Sequence, residues 1–354
     1  MTAAATTTTT TTTVVDSVSG AVRRQALGRT TLVCGVLSAV LVAAFCVSIS
    51  VGDFTVPLDD VIAAIFGGGS EDAAFIVRTL RLPRALTGVL VGVAFGLSGA
   101  IFQALARNPL ASPDIIGIDA GAGAAAVFCI VVLDTTAAIT AGGALGGALV
   151  AALAIYLLAW KSGVSPYRLV LVGIGVAAVL TAVTQFLLTR AEIFEAQRAV
   201  VWLTGSLNGR GWDDVRTGLV AVVVLVPALA LLVGSLRTMQ LGDDAAKGLG
   251  VRVERDRLLL VFVAVAFAAM ATAAAGPIIF VAFVGAPIAR RLTHDPLAMW
   301  TSALVGAVVV VLSDLVARRL FAPTELPVGV VTGVVGAPYL LWLLARTNRA
   351  GRGG

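Results

Sequence analysis

Long apolar segments without a charged residue alternate with short polar segments along most of this chain. Each apolar run is near or above the roughly 18–20 residues that cross a bilayer core as a helix. The runs are Thr30–Gly52, Ala85–Ala106, Thr135–Trp160, Leu169–Thr189, Thr217–Leu236, Leu258–Ala289, Pro296–Ser313 and Leu326–Ala345. The pattern predicts an all-α polytopic membrane protein.

One run is too long for a single crossing. Leu258–Ala289 would extend about 48 Å as one helix, against a hydrocarbon core of about 30 Å. The pair Gly276-Pro277 inside it predicts a break, because proline removes a backbone donor and clashes with the preceding turn. A further apolar run, Ala120–Leu133, follows Asp119. The expected count is therefore about ten transmembrane helices.

Lysine and arginine divide unevenly between the two sides of such a membrane domain. With the N-terminus inside and ten crossings, 16 of the 25 Lys and Arg residues fall inside and nine outside. This bias predicts that both termini are cytoplasmic in a multi-pass cell-membrane protein. The formal net charge of +5 then reflects topology, and no nucleic-acid partner is expected.

The two ends of the chain differ from the middle. Residues 1–29 carry a threonine tract without apolar periodicity, which predicts a disordered cytoplasmic tail. Residues 30–346 form the expected membrane domain, and 347–354 a cytoplasmic C-terminal tail. Only 13% of residues are charged and 58% are hydrophobic, which agrees with this division.

The residue types needed for catalysis or metal binding are scarce. One histidine and three cysteines within apolar runs cannot assemble a metal site or a nucleophile–base pair. No Gly-rich phosphate-binding loop is present, so the chain is not expected to hydrolyse ATP. We expect no cofactor, no metal and no catalytic residue.

The stretch "RNPLASPDIIGI" at 107–118 separates two apolar runs. Pro109 and Pro113 predict the end of one helix, Asn108 an Asx turn, and Asp114 a cap for the next helix. Two interpretations stay open, namely a rigid corner without chemistry, or a border of the inner gate or of the ATPase contact. The longest polar inner segment, "RTMQLGDDAAKGLGVRVERDR" at 237–257, is consistent with an ordinary loop or with a short surface helix that begins at Asp243 and ends near Gly248.

Several stretches together resemble one family. They are "RLPRALTGVLVGVAFGLSGAIFQALARNPLASPDIIGIDAGAGAA" (81–125), "GSLNGRGW" (205–212), "LGDDAAKGLGVRVERDRLL" (241–259), "AAAGPIIFVAFVGAPIARRL" (273–292) and "SDLVARRLFAPTELPVGVVTGVVGAPYLLWLL" (313–344). In order and spacing they resemble FecCD/BtuC-type permease subunits of ATP-binding-cassette (ABC) importers for ferric siderophores, haem and cobalamin. They are most similar to ferric-enterobactin-type permeases.

The resemblance implies a type II ABC importer permease fold and the following roles. Arg81, Arg84 and Arg318 would hold an extracytoplasmic siderophore-binding protein, the alternative being that their side chains only extend from the membrane interface into water. A coupling segment would contact the ATP-binding cassette subunits, and it comprises Leu241, Gly242, Asp243, Asp244, Ala245, Ala246, Leu249 and Gly250. A second permease subunit, identical or paralogous, would complete an alternating-access pathway for the ferric siderophore. Asn108, Pro109 and Gln185 are candidates for the gate or pathway.

Some alternatives stay open at this point. A haem or cobalamin importer fits the same resemblance, whereas a secondary transporter would be expected to carry acids near the membrane midplane. Asp314, four residues before Arg318, is expected to pair or cap locally. The family's Pro-His pair is missing, since this chain has Ala286-Pro287 there, which leaves the local kink undetermined.

Overall fold

The computed structural model describes residues 4–52, 54–68, 70–161 and 166–350, and for 4–26, 58, 166, 344 and 346–350 it describes only the backbone. Fifteen α-helices follow one another in this part of the chain. A π-helical turn, Ile76–Arg81, joins the third to the fourth. They are α1 (Ala4–Ser50), α2 (Leu58–Phe66), α3 (Glu71–Phe75), α4 (Leu82–Ala106), α5 (Pro113–Ile116), α6 (Ile118–Val131), α7 (Ala137–Ala159), α8 (Pro166–Arg190), α9 (Ile193–Leu203), α10 (Trp212–Met239), α11 (Asp243–Gly248), α12 (Val253–Ala275), α13 (Val281–Thr293), α14 (Met299–Arg319) and α15 (Val328–Ala350).

The helices agree with the apolar pattern of the sequence. Among the described residues, seven helical segments are long and apolar enough to cross a membrane. Two shorter apolar helices, Ile118–Val131 and Val328–Leu343, and the 13-residue α13 lie at the other three predicted spans. The prediction of an all-α polytopic membrane protein is confirmed, with ten as an approximate count of spans.

The predicted break in the long apolar run is present. Helix α12 ends at Ala275, and Gly276 adopts a positive φ of 73°. Phe280 also has a positive φ, 68°, immediately before α13 begins. Because an L-residue in this region is strained by about 1–2 kcal/mol, surrounding packing must hold Phe280 in place. The break therefore divides the run into two separately packed helices.

The centre of the molecule is built on α4, α12 and α14. Helix α4 packs against α12, α13 and α14, and small residues permit close approach. A Cβ atom on Gly99 would lie 1.8 Å from the Ala282 carbonyl oxygen, and one on Gly92 would lie 2.5 Å from the Gly306 carbonyl oxygen. Glycines on α4 thus let it approach α13 and α14 closely.

The N-terminal segment differs from its sequence-based expectation. Helix α1 is continuous from Ala4 to Ser50, through a stretch expected to be disordered. A helix extends from an existing nucleus at far lower cost than it starts anew, so the apolar part of α1 can propagate backwards. Residues 1–3 and, in the predicted C-terminal tail, 351–354 lie outside the described residues.

Candidate functional site

Two groups of charged side chains lie at opposite ends of α4. The first, here called the arginine cluster, comprises Arg81, Arg84, Asp314, Arg318 and Glu325. The second, here called the Asp243 cluster, comprises Arg107, Asp243 and Arg257. Arg84 lies near the first residue of α4, and Arg107 directly follows the last.

Carboxylates of the protein itself neutralise two of the arginines at the first end. Arg84 Nη2 lies 2.9 Å from Asp314 Oδ1, and Arg84 Nη1 lies 2.9 Å from Glu325 Oε2. Arg318 Nε lies 3.1 Å from Asp314 Oδ2, one helical turn away on α14. The expected local pairing of Asp314 with Arg318 is confirmed, and Arg84 is a second partner. Asp314 thus joins α4 to α14.

Arg81 binds backbone carbonyl groups at the end of α1. Its guanidinium donates to the carbonyl oxygens of Ile49 at 2.8 Å and Ser50 at 3.0 Å, and also to that of Phe54. Carbonyl groups at a helix C-terminus lack partners within the helix and carry partial negative charge, which a cation stabilises. Arg81 therefore fixes the loop after α1.

The predicted docking residues come together, but they are not exposed side chains. Arg81 and Arg84 are each only 8% exposed. The sequence-based interpretation missed Glu325, whose only signal was its position as the single acid between Asp314 and the last apolar run. Pairing to Glu325 and Asp314 explains why basic residues at this end can be buried at all.

A cavity of about 440 Å³ opens beside the arginine cluster. Five arginines and one acid, Glu325, are the charged side chains in its lining; the arginines are Arg81, Arg84, Arg210, Arg318 and Arg319. Burial lowers the pKa of Arg210, and the Asp214 carboxylate 3.7 Å away acts in the opposite direction. The cavity carries more positive than negative charge and suits a carboxylate or another anion.

The Asp243 cluster connects three helices through more exposed ion pairs. Asp243 Oδ2 lies 2.7 Å from Arg257 Nη2 on α12, and Asp243 Oδ1 lies 3.4 Å from Arg107 Nη2. Arg107 also donates to the Met239 carbonyl oxygen at 2.6 Å, at the end of α10. The side chains of Arg107 and Asp243 are 49% and 42% exposed. Helix α11 is thus attached at its first residue to the ends of α4 and α12.

The short helix predicted in the coupling segment is present as α11. Gly242 and Gly250, with φ of 111° and 85°, form the turns on either side of it. Leu241, Ala245 and Leu249 are exposed, whereas Ala246 is completely buried. The expectation that Ala246 faces a partner is wrong, because this methyl group packs into the central apolar core.

The two acids of α11 also differ in their surroundings. Asp244 is exposed, while Asp243, partly exposed, pairs with two arginines. The sequence contained both arginines, but neither spacing nor periodicity indicates that Arg107, 136 residues away, approaches Asp243.

The corner after α4 agrees in part with its prediction. Asn108 Oδ1 accepts from the Leu110 N–H at 2.9 Å, which is the expected Asx turn. Asp114 does not cap its own helix; its Oδ2 accepts from the Phe280 N–H at 3.2 Å, before α13. Pro109 is half-buried beside this turn, and Gln185 lies exposed on α8, in neither cluster.

The segment without the family's Pro-His pair remains helical. Pro287 is buried inside α13. One turn on, Arg290 donates to Gln103 Oε1 on α4, and Gln103 Nε2 donates to the Phe283 carbonyl oxygen at 3.0 Å. These bonds attach α13 to α4 without a histidine.

The family model described as the FecCD transport family matches residues 40–346. The chain belongs to this family. It is 41% identical over 324 residues to the ferric enterobactin transport system permease protein FepG of Escherichia coli, covering 91% of this chain and 98% of that protein. It is 43% identical to the achromobactin transport system permease protein CbrC of Dickeya dadantii, covering 90% and 92%.

A solved relative supports the same assignment at the level of the fold. An inward-facing metal-chelate-type ABC transporter matches with a TM-score of 0.80 and 25% identity, covering 89% of this chain and 99% of that one. The type II ABC importer permease fold is confirmed. This FecCD member is a membrane-embedded permease subunit, and ATP is hydrolysed by separate subunits.

Proposed function

We propose that this permease carries a ferric siderophore across a bacterial cell membrane. The observation that carries the proposal is the similarity, over about nine tenths of the chain, to permeases named for ferric enterobactin and achromobactin. The transporter comprises this chain, a second permease subunit that is identical or paralogous, ATP-binding cassette subunits and an extracytoplasmic siderophore-binding protein. A siderophore encloses its own iron, so the permease needs a pathway and two docking surfaces, and no metal ligands.

Uptake by a strain that lacks this permease tests the substrate. The strain would express the wild-type chain or a folded, uncoupled variant, Leu249→Glu. Iron-labelled enterobactin, achromobactin, a hydroxamate siderophore and ferric citrate would be compared with haem and labelled cobalamin. We expect uptake of at least one siderophore by the wild type only. Uptake of cobalamin or haem alone would contradict the proposal, and cobalamin is a real competitor because a cobalamin permease, BtuC of Halobacterium salinarum, is 39% identical over 78% of this chain.

In this proposal both termini are cytoplasmic, the Asp243 cluster faces the cytoplasm and the arginine cluster faces outside. The Lys and Arg distribution supports this orientation. A cysteine introduced at Glu71 or Asp72 should react with an impermeant reagent added outside, and one at Asp244 should not. The opposite labelling would reverse the assignment of the two surfaces.

The segment Leu241–Gly250 would transmit motion from the ATPase subunits. Leu241 and Leu249, 69% and 66% exposed, provide apolar side chains for a partner groove, with Ala245 between them. A displacement of α11 would reach α4 and α12 through Asp243, since Arg107 and Arg257 hold that residue. Gly242 and Gly250 allow α11 to pivot, and the buried Ala246 anchors it.

A variant at the exposed surface tests this contact. Leu249→Glu should leave the protein inserted and folded, because the side chain lies in water, but ATPase subunits should no longer co-purify and uptake should fall at least tenfold. Ala245→Ser is the matched control, since serine is small enough for the same groove. Equal uptake by both variants would show that α11 is only a connection.

The arginine cluster would receive a carboxylate of the binding protein in its cavity. Glu325, whose side chain is 34% exposed, holds Arg84 in this structure and would exchange with that carboxylate. Arg81, Arg84 and Arg318 also stabilise the fold. Replacing them with acids could therefore reduce binding through unfolding as well as through loss of docking. Arg319 is a cleaner test, because it lines the same cavity and is exposed. Arg319→Glu should weaken binding-protein affinity and reduce its salt dependence.

The pathway itself would form between two permease subunits that alternate between outward- and inward-open states. Gln185 supports this as a polar side chain exposed on the apolar helix α8. Asn108 and Pro109 would border the inner gate, since their turn lies next to the Asp243 cluster. Gln185→Leu should then change the uptake rate without loss of protein from the membrane.

A further inference from the structure

Two acids, the half-buried Asp114 and the buried Asp119, lie among the helices outside both charged clusters. Asp114 is on α5, and Asp119 is in the first turn of α6. Asp119 is only 8% exposed. The residues they contact belong to the end of α12 and the start of α13. Since Gly99 on α4 packs on Ala282, α13 begins about seven residues, or roughly 11 Å, from the end of α4. The pair is therefore well inside the membrane domain.

Each acid has one oxygen with a donor and one without. Asp114 Oδ2 accepts from the Phe280 N–H at 3.2 Å, and Asp119 Oδ1 accepts from the Thr272 hydroxyl at 2.8 Å. The other two oxygens, Asp114 Oδ1 and Asp119 Oδ2, are buried without a hydrogen-bond donor. The two carboxyl groups, five residues apart in the chain, also interact with each other, and the Asp114 carboxylate interacts with its own backbone N–H.

A hydrogen bond between two carboxyl groups requires a proton on one of them. Two ionised carboxylates in contact would repel strongly in a low-dielectric interior, and each would keep an unsatisfied oxygen. A single shared proton removes one charge and supplies the missing donor, as in other close carboxyl pairs. We infer that Asp114 and Asp119 form a proton-binding site that holds one proton between their carboxyl groups.

No other charge replaces that proton among the described residues. The pair accepts one hydrogen bond from the Thr272 hydroxyl on α12 and one from the Phe280 N–H in the segment before α13. Neither donor titrates. The corner packs on α8 through Gly117 against Gly173 and Ala177, which are apolar. Within the part of the chain that the structure describes, the one charged group that acts on either acid is the other acid.

The shared proton would close a junction between helices. Through it, the corner formed by α5 and α6 is joined to both sides of the break between α12 and α13. A movement that separates α13 from this corner would bring the acids to water, where an aspartate is ionised at neutral pH. The proton would then leave to water. Because the closed junction binds a proton that the open one does not, acidification favours the closed junction and a rise in pH favours opening.

Infrared spectroscopy of the full-length chain in lipid nanodiscs tests the site directly. At neutral pH the wild type should show the carbonyl stretching band of a protonated carboxylic acid, and Asp119→Asn should lose it. Asp213→Asn is the control, since that side chain is 98% exposed and should leave the band unchanged. Absence of the band in the wild type at neutral pH would overturn the inference.

Thermal unfolding at several pH values distinguishes a proton between Asp114 and Asp119 from a metal cation bound there. Asp119→Asn keeps an N–H donor toward Asp114, so its melting temperature at neutral pH should stay within a few degrees of the wild type, with a flatter pH dependence. Asp119→Leu removes the donor and should melt clearly lower at neutral pH. If sodium or calcium ions instead raised the melting temperature of the wild type but not of Asp119→Asn, the pair would be a cation site and the proton assignment would be wrong. Neither measurement uses a substrate, so failure here is separate from failure of the transport proposal.

Discussion

At each end of α4 one carboxylate pairs with two arginines, but the two carboxylates differ in exposure to water. At the arginine cluster, Asp314 has a side chain only 3% exposed and contacts two arginines on different helices. At the Asp243 cluster, the central acid also contacts two arginines, but it is 42% exposed. Both clusters place one carboxylate between two guanidinium groups. They differ in their access to water.

Access to water decides what each cluster can do. Breaking a buried ion pair leaves an uncompensated charge in a low-dielectric site, whereas water solvates the partners of an exposed pair. The arginine cluster is therefore a fixed structural connection between α4 and α14. In the Asp243 cluster, water can solvate Asp243 and Arg107 when they separate, and the less exposed Arg257 keeps Glu254 3.6 Å away. This lower cost of separation suits the coupling role proposed for α11.

The largest effect is expected at the buried acid. Asp314→Asn keeps the shape but removes the charge that neutralises Arg84 and Arg318, so the free energy of unfolding should fall by about 3–5 kcal/mol. The measurement is the thermal midpoint of purified protein, together with its abundance in the membrane. Asp213→Asn, at a fully exposed pair with Arg216, is the control and should change neither. A midpoint equal to that of the wild type would mean that the arginine cluster does not hold the fold.

An intermediate effect is expected at Glu325. Its carboxylate is one of two on Arg84 and is partly in water, so Glu325→Gln should reduce stability by about 1 kcal/mol or less. If Glu325 competes with a carboxylate of the binding protein, the same variant should bind that protein more tightly. Titration of binding protein against nanodisc-embedded transporter measures this. Lower affinity with unchanged stability would show that Glu325 itself contacts the partner.

The sequence predicted the parts of this molecule that depend on local pattern. Charge-free runs predicted the helices, Gly276-Pro277 predicted the break, and Asn108 before Pro109 predicted an Asx turn. Each depends on residues within a few positions of one another, where periodicity and backbone chemistry act directly.

The sequence did not predict which charges meet. Arg84 and Glu325 are 241 positions apart, and Asp114 and Phe280 are 166 apart. An acid such as Asp114 can cap its own helix or bond to a distant one. Which of the two occurs depends on how the helices pack. Ala246 was assigned to the wrong face for a similar reason, because a six-residue helix has too little periodicity to indicate its buried side.

The smallest effect on stability is expected at Asp243. Asp243→Asn removes two ion pairs with Arg107 and Arg257, yet both the acid and Arg107 are nearly half exposed. The exposed pair with Arg107 contributes about 0.5 kcal/mol or less and weakens with salt. Arg257, whose side chain is only 10% exposed, keeps Glu254 3.6 Å away, so the thermal midpoint should change by only a few degrees. Asparagine can still accept one hydrogen bond, which should preserve the position of α11.

Transport should nevertheless fall by at least tenfold, because motion of α11 would no longer pull on the ends of α4 and α12. Substrate-stimulated ATPase activity should fall with it, although ATPase subunits should remain bound through Leu241 and Leu249. The matched control is Asp244→Asn, one residue on and exposed, which should retain both activities. If Asp243→Asn proved as unstable as Asp314→Asn, exposure to water would not be what separates the two clusters, and the Asp243 cluster would be a second fixed connection.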